Sequence, residues 1–211
     1  MTEYQFTQDW FHWAPGLWEQ LIPMLPDRKK FLEIGSYEGR SMAWIVENML
    51  GEGAVEASVV CIDTWEGSEE HTEATVGPDL FSRFCRNKGV AEAKYWAKSK
   101  KKDYRDIVEA VMGRSDVVLP HILANWKGAP GSYDFIYIDG SHTASGVLTD
   151  ACMAWPLLKP LGIMVFDDYT WGEPRDILHR PKLAVDCFMN IFAEEIELIH
   201  MGYQVALRKK G

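Results

Sequence analysis

The sequence lacks the patterns that mark several common classes of protein. Its 4 cysteines form no Cys-x-x-Cys pair, so neither a zinc site nor a redox pair is predicted, and reduced thiols in the core are the simplest interpretation. No apolar run approaches the roughly 20 residues of a membrane span. The N-terminus, with Glu3 and Asp9, also lacks the basic start of a secretory signal. We therefore expect a soluble, cytoplasmic protein.

Positive charge is also scarce. The chain has 22 lysines and arginines against 31 acidic residues, which gives a formal net charge of −9. Such a chain has no general basic surface for the phosphates of a nucleic acid. Its one lysine cluster, Lys98 with residues 100–102, is typical of a solvated loop or helix end. We predict no nucleic-acid partner.

Apolar runs of strand length alternate with helix-like stretches, which predicts one domain, residues 1–211, of the α/β class. The predicted strands are residues 30–34, 58–63, 107–112, 133–139, 162–167, 196–200 and 203–208. Only Met201 and Gly202 separate the last two, a spacing that favours a tight hairpin. The expected fold is a doubly wound, mostly parallel seven-stranded sheet with a C-terminal antiparallel hairpin.

The segments between the strands predict helices at residues 41–50, 147–158 and 183–192. Residues 1–29 predict an N-terminal helical segment whose tryptophans, Trp10, Trp13 and Trp18, pack onto the domain. The same aromatic content suits an interface between copies of the chain, so a homo-oligomer is an open alternative. Residues 66–103 exceed a standard connection between a strand and a helix. This length indicates an insertion beside the carboxyl ends of the strands, where it could act as a lid.

A glycine turn follows the first predicted strand. Gly35 lets the backbone turn sharply and approach a ligand, and Gly39 lets the next helix begin close to the strand with free N–H groups toward the site. Taken alone, Gly-x-x-x-Gly indicates a tight turn as readily as a ligand site. The second strand strengthens the candidate because it ends at Asp63. That carboxylate can accept hydrogen bonds from both hydroxyls of a ribose or, alternatively, cap a helix.

The glycine spacing also indicates the kind of ligand. It is not the Gly-x-Gly-x-x-Gly of dinucleotide-binding enzymes, because position 37 is a tyrosine. Glu33 lies inside the end of the first strand, where a carboxylate would repel a pyrophosphate and attract a cationic, zwitterionic ligand.

The pattern Glu33-x-Gly35-x-x-x-Gly39 followed by Asp63 resembles the cofactor fingerprint of class I S-adenosylmethionine-dependent methyltransferases. The resemblance extends over residues 30–209 and includes the closing hairpin. It implies a set of positions that bind S-adenosylmethionine. These are Glu33, Gly35, Ser36 and Gly39 for the methionine portion, Asp63 for the ribose, Ser115 for the adenine, and Asp139.

Carboxylates also gather where the fourth and fifth predicted strands end. One strand leads into Asp139-Gly-Ser-His142, and the next leads into Asp167 and Asp168. Three carboxylates at adjacent strand ends would repel one another unless they shared a cation or protons. Oxygen ligands favour a hard divalent ion such as Mg²⁺, Ca²⁺ or Mn²⁺. The alternative is that one or two of these aspartates cap the following helices, with Asp168 the first candidate.

This pairing resembles the metal-dependent O-methyltransferases of the macrocin and mycinamicin type, which modify sugar hydroxyls of natural products. The resemblance implies that Asp139, Asp167 and Asp168 lie at the metal, that His142 is the catalytic base with Asp139 beside it, and that the acceptor is a small molecule such as a sugar or glycosylated metabolite. Ser141 departs from relatives that carry an acidic residue there.

Three further residues have two open interpretations each. His71 could reach the acceptor or lie on the surface, and Tyr169 and Trp171 could line the acceptor pocket or pack their loop. Two alternative functions also stay open. One is metal-independent N- or O-methylation that depends on His142 alone, and the other is a non-catalytic protein that binds S-adenosylmethionine.

Overall fold

The structure is a computed structural model that describes residues 3–51, 56–67, 79–99, 105–125, 130–172 and 175–211. Its centre is a seven-stranded sheet. The strands are β1 (Lys30–Ile34), β2 (Ser58–Asp63), β3 (Val108–Met112), β4 (Tyr133–Ile138), β5 (Leu158–Phe166), β6 (Ile196–Met201) and β7 (Val205–Lys209). The α-helices are α1 (Ala14–Leu21), α2 (Arg40–Trp44), α3 (Leu80–Lys98), α4 (Ser115–Asn125), α5 (Ala144–Ala154) and α6 (Pro181–Ile191). A π-helical turn, Ile45–Met49, continues α2.

The strand order is β3-β2-β1-β4-β5-β7-β6. The first five strands pair in parallel, and β7 lies antiparallel between β5 and β6. The predicted fold class is therefore confirmed, including the C-terminal hairpin. Because β1 pairs with both β2 and β4, the chain reverses its direction of winding there, and the carboxyl ends of these strands form the crevice where such sheets bind ligands.

Helices cover both faces of the sheet and divide the core into two layers. Phe31 of β1 faces the layer formed with α1, α2 and α3, whereas Leu32 faces the layer formed with α4, α5 and α6. The central strands are apolar on both faces for this reason, and all six residues of β4 are buried. Burial on both sides fixes the register of β1 and β4, and hence the positions of the loops that follow them.

Several element boundaries differ from the predictions. The structure contains α4, which the sequence did not predict because Pro120 interrupts its helical pattern. The strand predicted at 162–167 begins earlier, at Leu158. The helix predicted at 147–158 begins at Ala144, because the Thr143 hydroxyl caps it by accepting a bond from the Gly146 backbone N–H, and it ends in a 3₁₀ turn.

The described part of the predicted insertion is a crossover helix. Residues 80–98 form α3, which buries Phe84, Tyr95 and Trp96 against the core and connects β2 to β3. Residues 68–78 and 100–104, which include His71 and most of the lysine cluster, lie outside the described residues. The lid therefore stays a prediction.

The N-terminal segment is helical only in its second half. Residues 3–13 are not helical, α1 follows, and a 3₁₀ turn, Ile22–Met24, leads toward β1. Trp18 is fully buried, as expected for packing onto the domain, whereas Trp10 and Trp13 stay exposed. Within the described ranges, the structure contains no helix long and apolar enough to cross a membrane.

Candidate active site

The turn after β1 is built around two glycines in the left-handed region. Gly35 has φ 84°, and a Cβ there would overlap the backbone carbonyl of Asp139. Gly39 has φ 77° and directly precedes α2. A side chain at position 35 would therefore be excluded both by the backbone conformation and by the close approach of the loop after β4. These two constraints explain why position 35 is a glycine.

Asp63, at the end of the neighbouring strand β2, accepts hydrogen bonds from the backbone of this turn. Its Oδ2 accepts hydrogen bonds from the backbone N–H groups of Ser36 and Tyr37, at 2.7 and 2.8 Å, and its Oδ1 accepts one from Trp65 at 2.7 Å. The side chain thus binds loop amides rather than capping a helix, and it also lines the cavity described below. A carboxylate offers about four acceptor positions, so Asp63 can still accept a hydrogen bond from a ligand hydroxyl.

Glu33 lies beneath the turn and is fully buried. It accepts hydrogen bonds from the hydroxyls of Ser36, at 2.6 Å, and Ser41, and from the Cys61 thiol at 3.3 Å. Burial raises the pKa of Glu33 to about 7 despite these bonds. Ser36 and Ser41 line the cavity, whereas Glu33 lies behind them. The sequence did not single out Ser41, because a hydroxyl in the first turn of a helix carries no specific signal.

A cavity of about 1270 Å³ runs along the carboxyl edge of the sheet. Several predicted cofactor positions line it, namely Gly35, Ser36, Asp63, Ser115 and Asp139. The volume exceeds the 300–1,000 Å³ range typical of a small-molecule site, so a second molecule can bind beside a cofactor. Because the strand order fixes the order of the loops, the Ser115 loop after β3 and the loops after β4 and β5 lie on opposite sides of the glycine turn.

Asp150 is a lining residue that sequence reasoning missed. It belongs to α5, is buried, and accepts a hydrogen bond from the Ser115 side chain. Burial raises its pKa to about 6. Its signal in the sequence is an acidic residue on the apolar face of a helix, three positions after Val147. Asp150 therefore positions the side chain predicted to contact the adenine.

Asp139, His142 and Asp168 come together at the other side of the cavity. Each offers one ligand atom within 4.8 Å of the others. His142 Nε2 lies 2.7 Å from one carboxylate oxygen of Asp168, and the Tyr203 hydroxyl donates to the other at 2.5 Å. Asp168 has φ 57°, so its side chain leaves the strand end in an unusual direction. The interpretation of Asp168 as a helix cap is wrong, because its side chain binds His142 and Tyr203 instead.

Asp167 lines the same cavity but makes different contacts. Its Oδ2 accepts hydrogen bonds from the Tyr137 hydroxyl and, at 3.1 Å, from the Gln204 amide, whose oxygen in turn accepts from the Trp18 indole at 2.9 Å. The Tyr137 hydroxyl also lies 3.1 Å from Asp139 Oδ2, so it bridges the two carboxyl groups. The structure thus brings two of the three predicted metal ligands to His142 and holds the third in a buried hydrogen-bond network.

Carboxyl groups lie close together at this side of the cavity and affect one another's titration. Burial, followed by the charges of Asp167 and Asp168, raises the pKa of Asp139 well above its usual range. Burial and the Asp168 charge raise the pKa of Asp167 to about 6. A divalent cation would remove this repulsion, and the carboxylate and imidazole donors present suit one. The donor set therefore fits a metal ion.

The loop after β5 resolves two open interpretations. Trp171 lines the cavity, with its ring 4.4 Å from that of His142, and the Arg175 guanidinium lies 4.4 Å from the Trp171 ring on the rim. Tyr169 is buried, and its hydroxyl donates to Asp186 of α6 at 2.8 Å. Trp171 is thus the residue of the pair that faces the cavity, and Tyr169 packs the loop.

A parallel sheet with a reversed last strand, a glycine turn after β1 and an acidic edge defines the class I methyltransferases. A family described as a methyltransferase domain matches residues 32–169, and the chain belongs to this family. A search of curated proteins finds no match.

Solved structures share the fold at low sequence identity. The O-methyltransferase TomG from Streptomyces achromogenes, solved with S-adenosylmethionine, is 18% identical with a TM-score of 0.59 over 94% of this chain and 80% of that one. CalS11, a TDP-rhamnose 3′-O-methyltransferase of calicheamicin biosynthesis, is 14% identical with a TM-score of 0.64 over 95% and 80%. MycE of the mycinamycin pathway, solved with Mg and S-adenosylhomocysteine, is 15% identical with a TM-score of 0.57 over 98% and 51%. These likenesses show that the chain has the fold of class I methyltransferases.

Proposed function

We propose that this methyltransferase transfers the methyl group of S-adenosylmethionine to a hydroxyl of a sugar or another small polyhydroxylated molecule, with a divalent metal ion such as Mg²⁺. The observation that carries the proposal is the meeting of His142, Asp139 and Asp168 at one side of the same cavity that the glycine turn lines. The named activity of CalS11 and the Mg in the MycE complex support the acceptor class and the metal.

In this proposal, S-adenosylmethionine binds in the half of the cavity that the glycine turn lines. Glu33 lies beneath the turn, and the hydroxyls of Ser36 and Ser41 that donate to it line the wall above. We assign Asp63 to accept hydrogen bonds from the ribose, and Ser115, whose side chain donates to Asp150, to contact the adenine; both line the cavity. The sulfonium group carries a positive charge, which the acidic edge of the sheet favours.

His142 is the proposed base. When bound, S-adenosylmethionine supplies an activated methyl group and the divalent ion lowers the proton affinity of an acceptor hydroxyl. A neutral His142 imidazole takes the hydroxyl proton as the acceptor oxygen bonds to the methyl carbon and the carbon–sulfur bond breaks, which leaves S-adenosylhomocysteine. Asp168 lies 2.7 Å from His142 Nε2, so it orients the ring and stabilises the protonated form.

The carboxylates of Asp139, Asp167 and Asp168 are the proposed metal ligands. All three line the cavity; Asp139 and Asp168 lie with His142, and the Asp167 carboxyl is hydrogen-bonded by Tyr137 and Gln204. A neutral imidazole can also bind a metal ion, but we assign His142 to proton transfer because its contact with Asp168 orients the ring and stabilises the protonated form.

The test measures formation of S-adenosylhomocysteine from S-adenosylmethionine with a panel of sugars, glycosides and sugar nucleotides. Methylation of a hydroxyl is expected, with loss of activity after chelation and recovery when Mg²⁺ is restored. The proposal would be contradicted by methyl transfer to nitrogen alone, or by a protein that binds no cofactor.

A second candidate is a methyltransferase that needs no metal. The 2.7 Å contact between His142 Nε2 and Asp168 favours it, because this carboxylate can orient a neutral imidazole and stabilise its protonated form without another cation. The Tyr137 and Gln204 bonds to Asp167 give that carboxyl protein partners of its own. Full activity after thorough chelation would select this candidate over the first.

A further inference from the structure

Residues 3–13, here called the N-terminal arm, run along the outer side of the glycine turn before α1 begins. Gln5 is joined to Asn87 of α3 by two hydrogen bonds of 2.8 Å, and the Asn87 amide also donates to the Glu38 carbonyl at 2.8 Å. Asp9 forms an ion pair of 3.2 Å with Arg40 at the start of α2. The arm is therefore attached to the elements that position the cofactor site.

Glu38 is the centre of this attachment. Its carboxylate is buried although it belongs to the glycine turn, and it accepts bonds from both the backbone N–H and the hydroxyl of Thr7, at 2.7 and 2.8 Å. Arg83 of α3 donates to the same carboxylate at 2.7 Å. Buried, charge-assisted bonds of this kind hold geometry well. The inner side of the turn thus faces the cofactor half of the cavity, and its outer side holds the arm in place.

The arm presents large aromatic surfaces to the cavity. Phe11 is buried against Trp18, while Trp10 and Trp13 on either side of it are 45% and 39% exposed and line the cavity. The Trp13 ring lies 5.4 Å from that of Tyr203, whose hydroxyl binds Asp168. The Trp10 ring lies 5.1 Å from that of Tyr37 in the glycine turn, so the two indoles extend along the cavity wall from this turn toward Asp168.

We infer that the N-terminal arm, fixed to the cofactor turn by Glu38, forms the acceptor-binding wall of the cavity, with Trp10 and Trp13 as residues that determine acceptor specificity. This inference rests on the proposed function for the identity of the acceptor half. The chemistry fits a sugar ring, whose C–H face packs on an indole while its hydroxyls reach the acidic groups near Asp168. Glu38 and Thr7 act as positioning residues, because they hold the wall without touching the acceptor.

Saturation-transfer NMR tests this assignment with the methyl α-glycosides of glucose, galactose, mannose and rhamnose as probes. The protein is saturated with S-adenosylhomocysteine and Mg²⁺, and catechol serves as a flat phenolic comparison. We expect transfer to the ring C–H protons of at least one glycoside. Trp10→Ala and Trp13→Ala should each weaken that glycoside's binding roughly fivefold to tenfold, the effect of losing one aromatic contact. Ile191→Ala is the matched control, since Ile191 is an exposed apolar residue on α6.

A second set of variants tests the positioning role. Thr7→Val removes the hydroxyl that donates to Glu38 and should weaken glycoside binding and accelerate amide exchange in the arm, whereas Thr7→Ser should restore both. Melting temperatures establish that each variant is folded. Binding of S-adenosylhomocysteine, measured by calorimetry, should be unchanged in Trp10→Ala and Trp13→Ala.

The outcomes separate this inference from the proposed function. If the protein binds no S-adenosylhomocysteine, the proposed function fails. If it binds S-adenosylhomocysteine, the inference alone is overturned by any of three results: no saturation of any glycoside, equal saturation in the tryptophan variants, or stronger saturation of catechol than of every glycoside.

Discussion

Replacing Glu33 by glutamine should change how the stability of the protein depends on pH. Glu33 is fully buried, and burial raises its pKa from 4.5 to about 7. In the unfolded chain the same group releases its proton near pH 4.5. Between these two values the folded state holds a proton that the unfolded state has lost, so the free energy of unfolding falls as pH rises. Above about pH 7 both states are ionised, and the loss is complete.

The size of the effect follows from the shift in pKa. Each unit corresponds to about 1.4 kcal/mol, and the part of the titration between pH 5.5 and 8 amounts to roughly 2 kcal/mol of lost stability. Glutamine does not titrate, so Glu33→Gln removes this contribution. The glutamine side chain keeps an oxygen and gains an amide group, both of which can form hydrogen bonds with the hydroxyls of Ser36 and Ser41. The variant should gain stability relative to wild type as pH rises through this window.

Urea denaturation at several pH values measures the effect directly. The difference in free energy of unfolding between the two proteins cancels the other titrating groups, provided that the m-values agree. We expect this difference to change by roughly 2 kcal/mol in favour of the variant from pH 5.5 to 8. A difference in free energy of unfolding that stays constant from pH 5.5 to 8 would show that Glu33 has an ordinary pKa and would refute the argument from burial.

Three further variants test single features of the site. Gly35→Ala should abolish S-adenosylhomocysteine binding and destabilise the fold, since its Cβ would overlap the Asp139 carbonyl. The control is Gly131→Ala, because Gly131 has φ 62° but open space around it. This control should lower the free energy of unfolding, measured by thermal unfolding, by only about 1 kcal/mol. His142→Gln should lower turnover by about 10² to 10⁴ while cofactor affinity measured by calorimetry stays within error; unchanged turnover would exclude His142 as the base. Thr143→Ala should remove the cap of α5 and lower the free energy of unfolding by about 1 kcal/mol, and an equal stability would show that the cap is not formed in solution.

The sequence predicted the strands before the glycine turn and Asp63 to the residue, because β1 and β2 are continuous apolar runs whose ends coincide with a glycine and an acidic residue. The seven strands and the closing hairpin were also predictable from the alternation of patterns. The sequence also indicated which edge of the sheet carries the candidate cofactor site, since the carboxyl ends of parallel strands lie on one side of the sheet.

Other features depend on contacts that no local pattern contains. The direction of the Asp168 side chain depends on a positive φ for a residue other than glycine. The hydroxyls around Glu33 and the bond that Ser115 donates to Asp150 depend on packing between elements. The contact of Thr7 with Glu38 joins positions 31 residues apart, and no motif in the N-terminal segment indicates it.

Calorimetric titration with S-adenosylhomocysteine tests the central claim that one acidic, glycine-lined edge binds the cofactor. The account predicts one-to-one binding that weakens at least about tenfold in Asp63→Asn, because the ribose loses a charge-assisted acceptor worth about 1.5–3 kcal/mol. Asparagine retains an oxygen for the turn amides, so the variant should stay folded. Equal affinity in the two proteins, or no binding by wild type, would contradict the account.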